Sequence, residues 1–250
     1  MKCMILAAGY ATRLYPLTKD FPKPLLEVRG KTILDWLLED IAGAGAVDEY
    51  IVISNHRFMN HFENWAENHK LPITVLDDGT ESNETRMGAV RDIQFAIETL
   101  KTDDDLLVIA GDNLLDFSLK PYIEYFRRKN STVIMRYWEE NEAKLRKAGV
   151  AVVDDTDRIL EMEEKPANPK SHWCTPPFYI YKRENVPLVK AGIEAGCGVD
   201  APGSFIAWLS TQTAVHAWKM PGRRYDIGNL ESYQLVQETY QGITVNGDPA

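Results

Sequence analysis

Two cations stand in surroundings that suit a phosphate. The segment LAAGYATRLYPLTKDFPKPLLEV, residues 6–28, places Arg13 just after the small-residue loop Ala8-Gly9-Tyr10-Ala11-Thr12, and Lys23 between Pro22 and Pro24. Small residues let backbone amides approach phosphate oxygens, and paired cations supply the charge compensation that a triphosphate requires. The same residues are also compatible with a strand-to-helix turn carrying surface cations. Two other phosphate motifs are excluded by spacing, because neither GxGxxG nor GxxxxGK followed by Ser or Thr occurs.

Carboxylates recur at the ends of apolar segments. Asp112, in Gly111-Asp112-Asn113, is either a turn residue at a strand end or a magnesium ligand, since one carboxylate together with substrate phosphates is the usual way magnesium is held. Asp226, in Arg223-Arg224-Tyr225-Asp226-Ile227-Gly228-Asn229, is either the cap of a following helix or a second ligand of the same metal. Two such acids, far apart in sequence and each ending an apolar segment near a glycine, favour one metal site over two coincidental caps. Glu163-Glu164-Lys165-Pro166 offers a further lysine, although an acidic pair beside a lysine is commonly a solvated turn. Asn83, Glu84 and Arg86 either read a nucleobase edge or are exposed charges at a helix start. None of the five histidines falls in an HxxxH or HExxH spacing, which argues against zinc.

These residues need a scaffold, and the hydrophobic pattern supplies one. Residues 2–7 read as a buried strand, 32–42 as a helix with Ile33, Leu34, Leu37, Leu38 and Ile41 on one stripe and Thr32 as its cap, and 49–54 as a strand. A helix over 59–69, a strand over 72–76, a helix over 88–100 and a strand over 105–110 continue the alternation, which implies a parallel sheet. Ligands of such sheets lie beyond the carboxyl ends of the strands, where Gly9 and Asp112 fall. From residue 131 onward, strand candidates at 131–137, 149–154, 159–162, 178–181 and 214–218 are separated by fewer helices, which suggests a mixed sheet. The reading is one domain over 1–240, with a nucleotide-binding half to about residue 115, a substrate half over 116–240, and a loosely held tail at 241–250.

Bulk properties narrow the partners. The 250 residues are 44% hydrophobic and 26% charged, enough for a sizeable core. A net charge of -9 disfavours nucleic acid, whose binding depends on a basic surface. Cys3, Cys174 and Cys197 are odd in number and widely spaced, as expected of reduced thiols in a cytoplasmic protein, and no apolar run suits a signal peptide or a membrane span.

The 6–28 segment resembles the signature of the sugar-1-phosphate nucleotidylyltransferases, LAAGxGTRLxPLTxxxPKxLLPV, with Ala11 at the second glycine and Glu27 at the last proline. Alanine there permits close approach unless the backbone requires a positive φ. The resemblance runs through residues 2–230 in motif order. It implies an α/β, Rossmann-like three-layer fold with a mostly parallel central sheet, of the nucleotide-diphospho-sugar transferase type. It also implies an Mg²⁺-dependent reaction of a nucleoside triphosphate, dTTP or UTP favoured, with a sugar 1-phosphate, and it allows a homo-oligomer. By this resemblance Leu6, Ala8, Gly9, Ala11, Thr12, Arg13, Lys23, Gly88 and Asp112 bind the nucleotide. Asn113, Gly149, Glu164, Lys165 and Pro177 bind the sugar phosphate, and Asp112 with Asp226 holds the metal. Arg13, Lys23, Asp112 and Lys165 carry the catalysis. The sequence departs from the family in further places: Ala148 precedes Gly149, Pro176 and Pro177 replace a glycine before Phe178, the glutamine usual before Gly88 is missing, and in the segment around Asp226 Tyr225 replaces an aromatic neighbour and Asn229 a threonine. Phosphocholine or heptose 1-phosphate with CTP or GTP is the alternative substrate pair, and a nucleotide-binding regulatory protein without turnover is the alternative class.

Overall fold

Strands that are apolar on both faces must be covered on both sides, and this requirement shapes the N-terminal part of the chain. A computed structural model describes residues 1–245. In chain order its first half runs β1 (Lys2–Leu6), β2 (Glu27–Val28), β3 (Lys31–Thr32), α1 (Ile33–Gly43), β4 (Glu49–Ser54), α2 (Met59–Glu67), β5 (Ile73–Asp77), α3 (Ala89–Leu100), β6 (Leu106–Ala110), β7 (Asn113–Leu115) and α4 (Lys120–Lys129). Then follow β8 (Thr132–Trp138), α5 (Glu142–Leu145), β9 (Gly149–Val153), β10 (Ile159–Glu164), β11 (Trp173–Thr175), β12 (Phe178–Tyr181), α6 (Leu188–Glu194), α7 (Gly203–Gln212), β13 (Val215–Lys219), β14 (Arg224–Asp226) and α8 (Leu230–Thr239).

The described residues form two compact units. The first takes residues 1–86, 110–123 and 221–245; the second takes 87–109 and 124–220. In the first, β5, β4 and β1 lie side by side and parallel, with Ile5 opposite Val52 and Val52 opposite Val75. Cys3, Met4, Ile5, Ile51, Val52 and Ile53 have no exposed surface, as expected for central strands. Helix α1 buries the five side chains of the expected stripe, and Thr32 caps it by accepting the Asp35 N–H at 3.0 Å. Full burial of such side chains contributes on the order of 1.5–3 kcal/mol each. A second apolar cluster joins Leu14, Leu26, Val28 and Ile33 to Leu114, Ile227, Val236 and Tyr240, so that β7, β14 and α8 are packed onto the segment after β1.

In the second unit the strand order is β10, β9, β11, β8, β12, β6, with β13 parallel to β8 and the other pairings antiparallel. The α/β class is thus as expected: the sheet is parallel where strand and helix alternate and mixed beyond. Helices α4, α6 and α7 add cover that the pattern of the second half had not marked. Of the tail read at 241–250, residues 246–250 lie outside the described residues, while the Thr244 and Val245 N–H groups donate to the Asp116 carbonyl at 2.8 Å. Among the described residues no helix is long and apolar enough to cross a membrane.

Candidate active site

The loop after β1 is tied at its base and open above it. The Leu6 carbonyl accepts the Gly111 N–H at 3.0 Å, the Ala7 N–H donates to the Ile53 carbonyl at 2.9 Å, and the Ala8 carbonyl accepts the amide of buried Asn55 at 3.0 Å. Tyr10 is buried, and its hydroxyl donates to the Thr80 carbonyl at 2.9 Å. Beyond these ties, the N–H groups of Gly9 through Arg13 donate to no acceptor among the described residues. Consecutive free N–H groups of this kind form an anion-binding concavity. Gly9 is exposed, and a Cβ built on it would meet nothing within 4 Å. Arg13 is likewise exposed, in the short turn Thr12–Leu14.

Ala11 supplies a finding of its own. Its backbone is left-handed, φ 45° and ψ 42°, the conformation that favours glycine. An alanine there costs roughly 1 kcal/mol. Its carbonyl is held by the Leu14 N–H at 2.9 Å and the Thr18 hydroxyl at 2.8 Å, bonds that fix the strained turn.

Lys23 and Asp112 come together. Pro22 and Pro24 frame a single turn, Lys23–Leu25, that carries the lysine inward until it is 6% exposed. A buried ammonium requires a partner. Its Nζ donates to Asp112 Oδ2 at 2.7 Å, while Asp112 Oδ1 accepts the Asn113 amide at 2.8 Å. Gly111 allows this approach, since a Cβ there would lie 2.9 Å from Ile5 Cγ2. Asp112 keeps 39% of its side chain exposed, so one side of the carboxylate faces solvent.

Asp226 joins them through the antiparallel pairing of β7 with β14, which sets it directly opposite Asn113. The cap of α8 is Asn229, in a reciprocal capping box with Ser232. Asp226 is therefore released from capping, and its side chain is 58% exposed. Asp112, in the turn just before β7, and Asp226, the last residue of β14, lie in the same unit. Asn113 is 1% exposed, with its amide donating to Asp112 and to the Ala110 carbonyl at 3.3 Å, and its oxygen accepting from Arg224 at 2.5 Å. This places Asn113 behind Asp112.

Of the remaining expected residues, Gly88, Gly149, Glu164, Lys165 and Pro177 belong to the second unit, and Asn83, Glu84 and Arg86 to the first. Glu164 lies between two glycines: a Cβ on Gly149 would come within 2.9 Å of its Oε2, and one on Gly203 within 2.3 Å. Burial raises the Glu164 carboxyl above its ordinary value, with the Lys165 charge opposing. Lys165 is exposed at a left-handed backbone position, φ 51°, held where its N–H donates to the Ala148 carbonyl at 3.0 Å. Gly149, Glu164 and Lys165 are thus neighbours, and Pro177 is half-buried at the entry to β12. Gly88, φ 92°, has room for no side chain, because a Cβ would lie 2.6 Å from the Val199 carbonyl oxygen. Of the nucleobase candidates, Arg86 donates to Asn83 at 3.0 Å, and Glu84 is held below its ordinary range by hydrogen bonds to backbone and to Ser82. Asn55, Thr80 and Arg224 escaped the sequence reading. Asn55 had a local signal, an asparagine directly after an apolar strand; the other two depend on non-local contacts.

The model of the nucleotidyl transferase family matches residues 2–242. The chain belongs to this family. The motif resemblance to sugar-1-phosphate nucleotidylyltransferases is borne out by relatives of this nucleotidyl transferase. It is 26% identical to the UTP–glucose-1-phosphate uridylyltransferase of Synechocystis sp. over 93% of this chain and 61% of that protein. It is 23% identical to the glucose-1-phosphate adenylyltransferase of Fervidobacterium nodosum over 92% of this chain and 59% of that protein. The chain therefore spans about three fifths of the length of these curated relatives. The solved structure of apo UDP-glucose pyrophosphorylase shares the fold of this nucleotidyl transferase, with a TM-score of 0.81, 19% identity, and coverage of 96% of this chain and 98% of that one.

Proposed function

We propose that this nucleotidyl transferase condenses a nucleoside triphosphate, dTTP or UTP favoured, with a sugar 1-phosphate and releases pyrophosphate in the cytoplasm. The observation that carries the reading is the half-buried Lys23–Asp112 pair, with Asp226 on β14 opposite the residue after Asp112, and a loop of free N–H groups after β1, whose Leu6 carbonyl accepts the Gly111 N–H. Phosphoryl-type transfer needs positioning and charge stabilisation more than a covalent nucleophile. Each part here supplies one or the other.

The N–H groups of residues 9–13 and the Arg13 guanidinium cradle the triphosphate tail. Lys23 exchanges its hydrogen bond to Asp112 for one to the α-phosphate, bringing a desolvated ammonium to the phosphorus under attack. In the second unit, Lys165 takes the phosphate of the sugar and Glu164 its hydroxyls. Asn113, with its amide committed inside the protein, holds the Asp112 carboxylate in place.

Two partly exposed carboxylates fit a hard divalent cation that completes its shell with phosphate oxygens and water. Asp112 and Asp226 would hold this Mg²⁺, which when bound neutralises charge on the phosphates.

A pyrophosphate-release assay tests the proposal, with each of five nucleoside triphosphates against sugar 1-phosphates, heptose 1-phosphate and phosphocholine, with and without Mg²⁺. Turnover with a pyrimidine nucleotide and a hexose 1-phosphate is the expected result. Turnover only with phosphocholine or heptose 1-phosphate would replace the acceptor, and tight nucleotide binding with no turnover would overturn the enzymatic reading.

A further inference from the structure

The pairing of β7 with β14 sets Leu115 opposite Arg224 as well as Asn113 opposite Asp226. Alternate residues of a strand share a face. Leu114 and Tyr225 accordingly enter the apolar cluster with Ile33 and Tyr240, which leaves Asn113, Arg224 and Asp226 on the opposite side of the ribbon. Diagonal neighbours across a strand pair are within reach of a long side chain. Arg224 spans that diagonal: its Nη1 donates to Asn113 Oδ1 at 2.5 Å, and its Nη2 lies 3.7 Å from Asp226 Oδ2.

The consequence passes through Asn113. An amide whose oxygen accepts from a guanidinium has its NH2 group directed the other way, and here that group donates to Asp112 Oδ1. Lys23 holds the other oxygen of Asp112 at 2.7 Å. The guanidinium is therefore joined to Asp226 directly and to Asp112 through one intervening amide. The turn that delivers Arg224 is itself anchored, since Asp116 Oδ1 accepts the Arg223 N–H at 2.7 Å. A Cβ on Gly222 would fall 2.2 Å from the same oxygen.

We propose that Arg224 is a positioning residue that fixes the two metal-holding carboxylates relative to each other, one through Asn113 and one by direct attraction. The inference rests on the reading of Asp112 and Asp226 as that pair. A planar fork can engage an amide oxygen and a carboxylate at once, which a lysine ammonium, a compact point charge on a flexible stem, does not reproduce.

The test compares Arg224→Lys and Arg224→Met with the unaltered protein. Mn²⁺ binding is read by paramagnetic resonance, with Mn²⁺ alone and with the triphosphate that the donor assay selects; kcat, KM and circular dichroism are measured alongside. Both variants are expected to weaken Mn²⁺ binding and lower kcat by about 10- to 100-fold with little change in nucleotide KM, the usual effect of removing a group that orients a metal ligand. If Arg224→Met does not fold, Arg224→Lys alone decides. Wild-type Mn²⁺ affinity and kcat in Arg224→Lys overturn the proposal, because charge alone would then suffice. Asp112→Asn and Asp226→Asn run beside them: if these lose Mn²⁺ binding while the Arg224 variants keep it, only the positioning role fails, and if all four keep it, the metal pair itself is wrong.

Discussion

The glycine of the first motif and the glycines of the second unit serve opposite needs. Gly9 has no left-handed backbone and open space where a side chain would be, so neither conformation nor internal packing asks for glycine. Gly149 is enclosed, since a Cβ there would lie 2.3 Å from Thr175 Oγ1 and 2.9 Å from Glu164 Oε2. A glycine that the fold does not need points to something outside the fold, which in the proposed function is the phosphates of a nucleotide. A glycine that the fold does need is weak evidence of contact with a ligand. Motif matching treats the two alike; the surroundings of each Cβ separate them.

The contrast can be broken by substitutions that divide chemistry from stability. Asp112→Asn keeps an oxygen for Lys23 and removes the charge, so kcat is expected to fall by about 10²- to 10³-fold with the fold retained. A pyrophosphate assay beside a melting curve reads both, and near-normal turnover would take Asp112 out of the mechanism. Gly149→Ala is expected to do the reverse, lowering stability by about 1–3 kcal/mol through overpacking against Thr175 and Glu164, as urea unfolding would measure. Gly9→Ala sharpens the comparison from the open side: stability should stay within about 0.5 kcal/mol of the parent. Its nucleotide KM should rise by roughly tenfold, the equivalent of about 1.4 kcal/mol of lost contact. An unchanged KM would mean that no phosphate approaches Gly9.

The smallest effect is one of pH and belongs to the packed side. Burial raises the Glu164 carboxyl above its ordinary value of 4.5, so the native state holds this proton more tightly than the unfolded chain does. Stability from this group is therefore fully present below about pH 4.5 and is lost as pH rises through the raised native value. Glu164→Gln should remove that decline from the pH profile of urea unfolding. A profile identical to the parent's would show that the carboxyl is not desolvated in solution.

Much of the first unit could be read along the chain because its signals are local. The apolar runs of β1 and β4 and the stripe of α1 each declare themselves within a dozen residues, and Thr32 does so as a cap. The second half was less legible. Helix α7 begins with Gly203 and Ser204 and has no side-chain cap at its start, so propensity gives little sign of it. Strands β7 and β14 are three residues each, too short for periodicity to register. The candidate site divides in the same way: Lys23, Asp112 and the Gly9 loop carry their chemistry in their immediate neighbours. Arg224 acquires a role only from a register between segments more than a hundred residues apart, and the left-handed turn at Ala11 was visible only as a condition on whether alanine would fit there.

That long-range register has a consequence for the order in which the molecule matures. The first unit is assembled from three stretches of chain, and the last of them, beginning at residue 221, brings the second acid to the first. Contacts between distant segments form late, after the loops that separate them have closed. On the proposed function, a growing polypeptide would therefore own its phosphate cradle long before it owned both acids, and so could hold a nucleotide before it was equipped to split one.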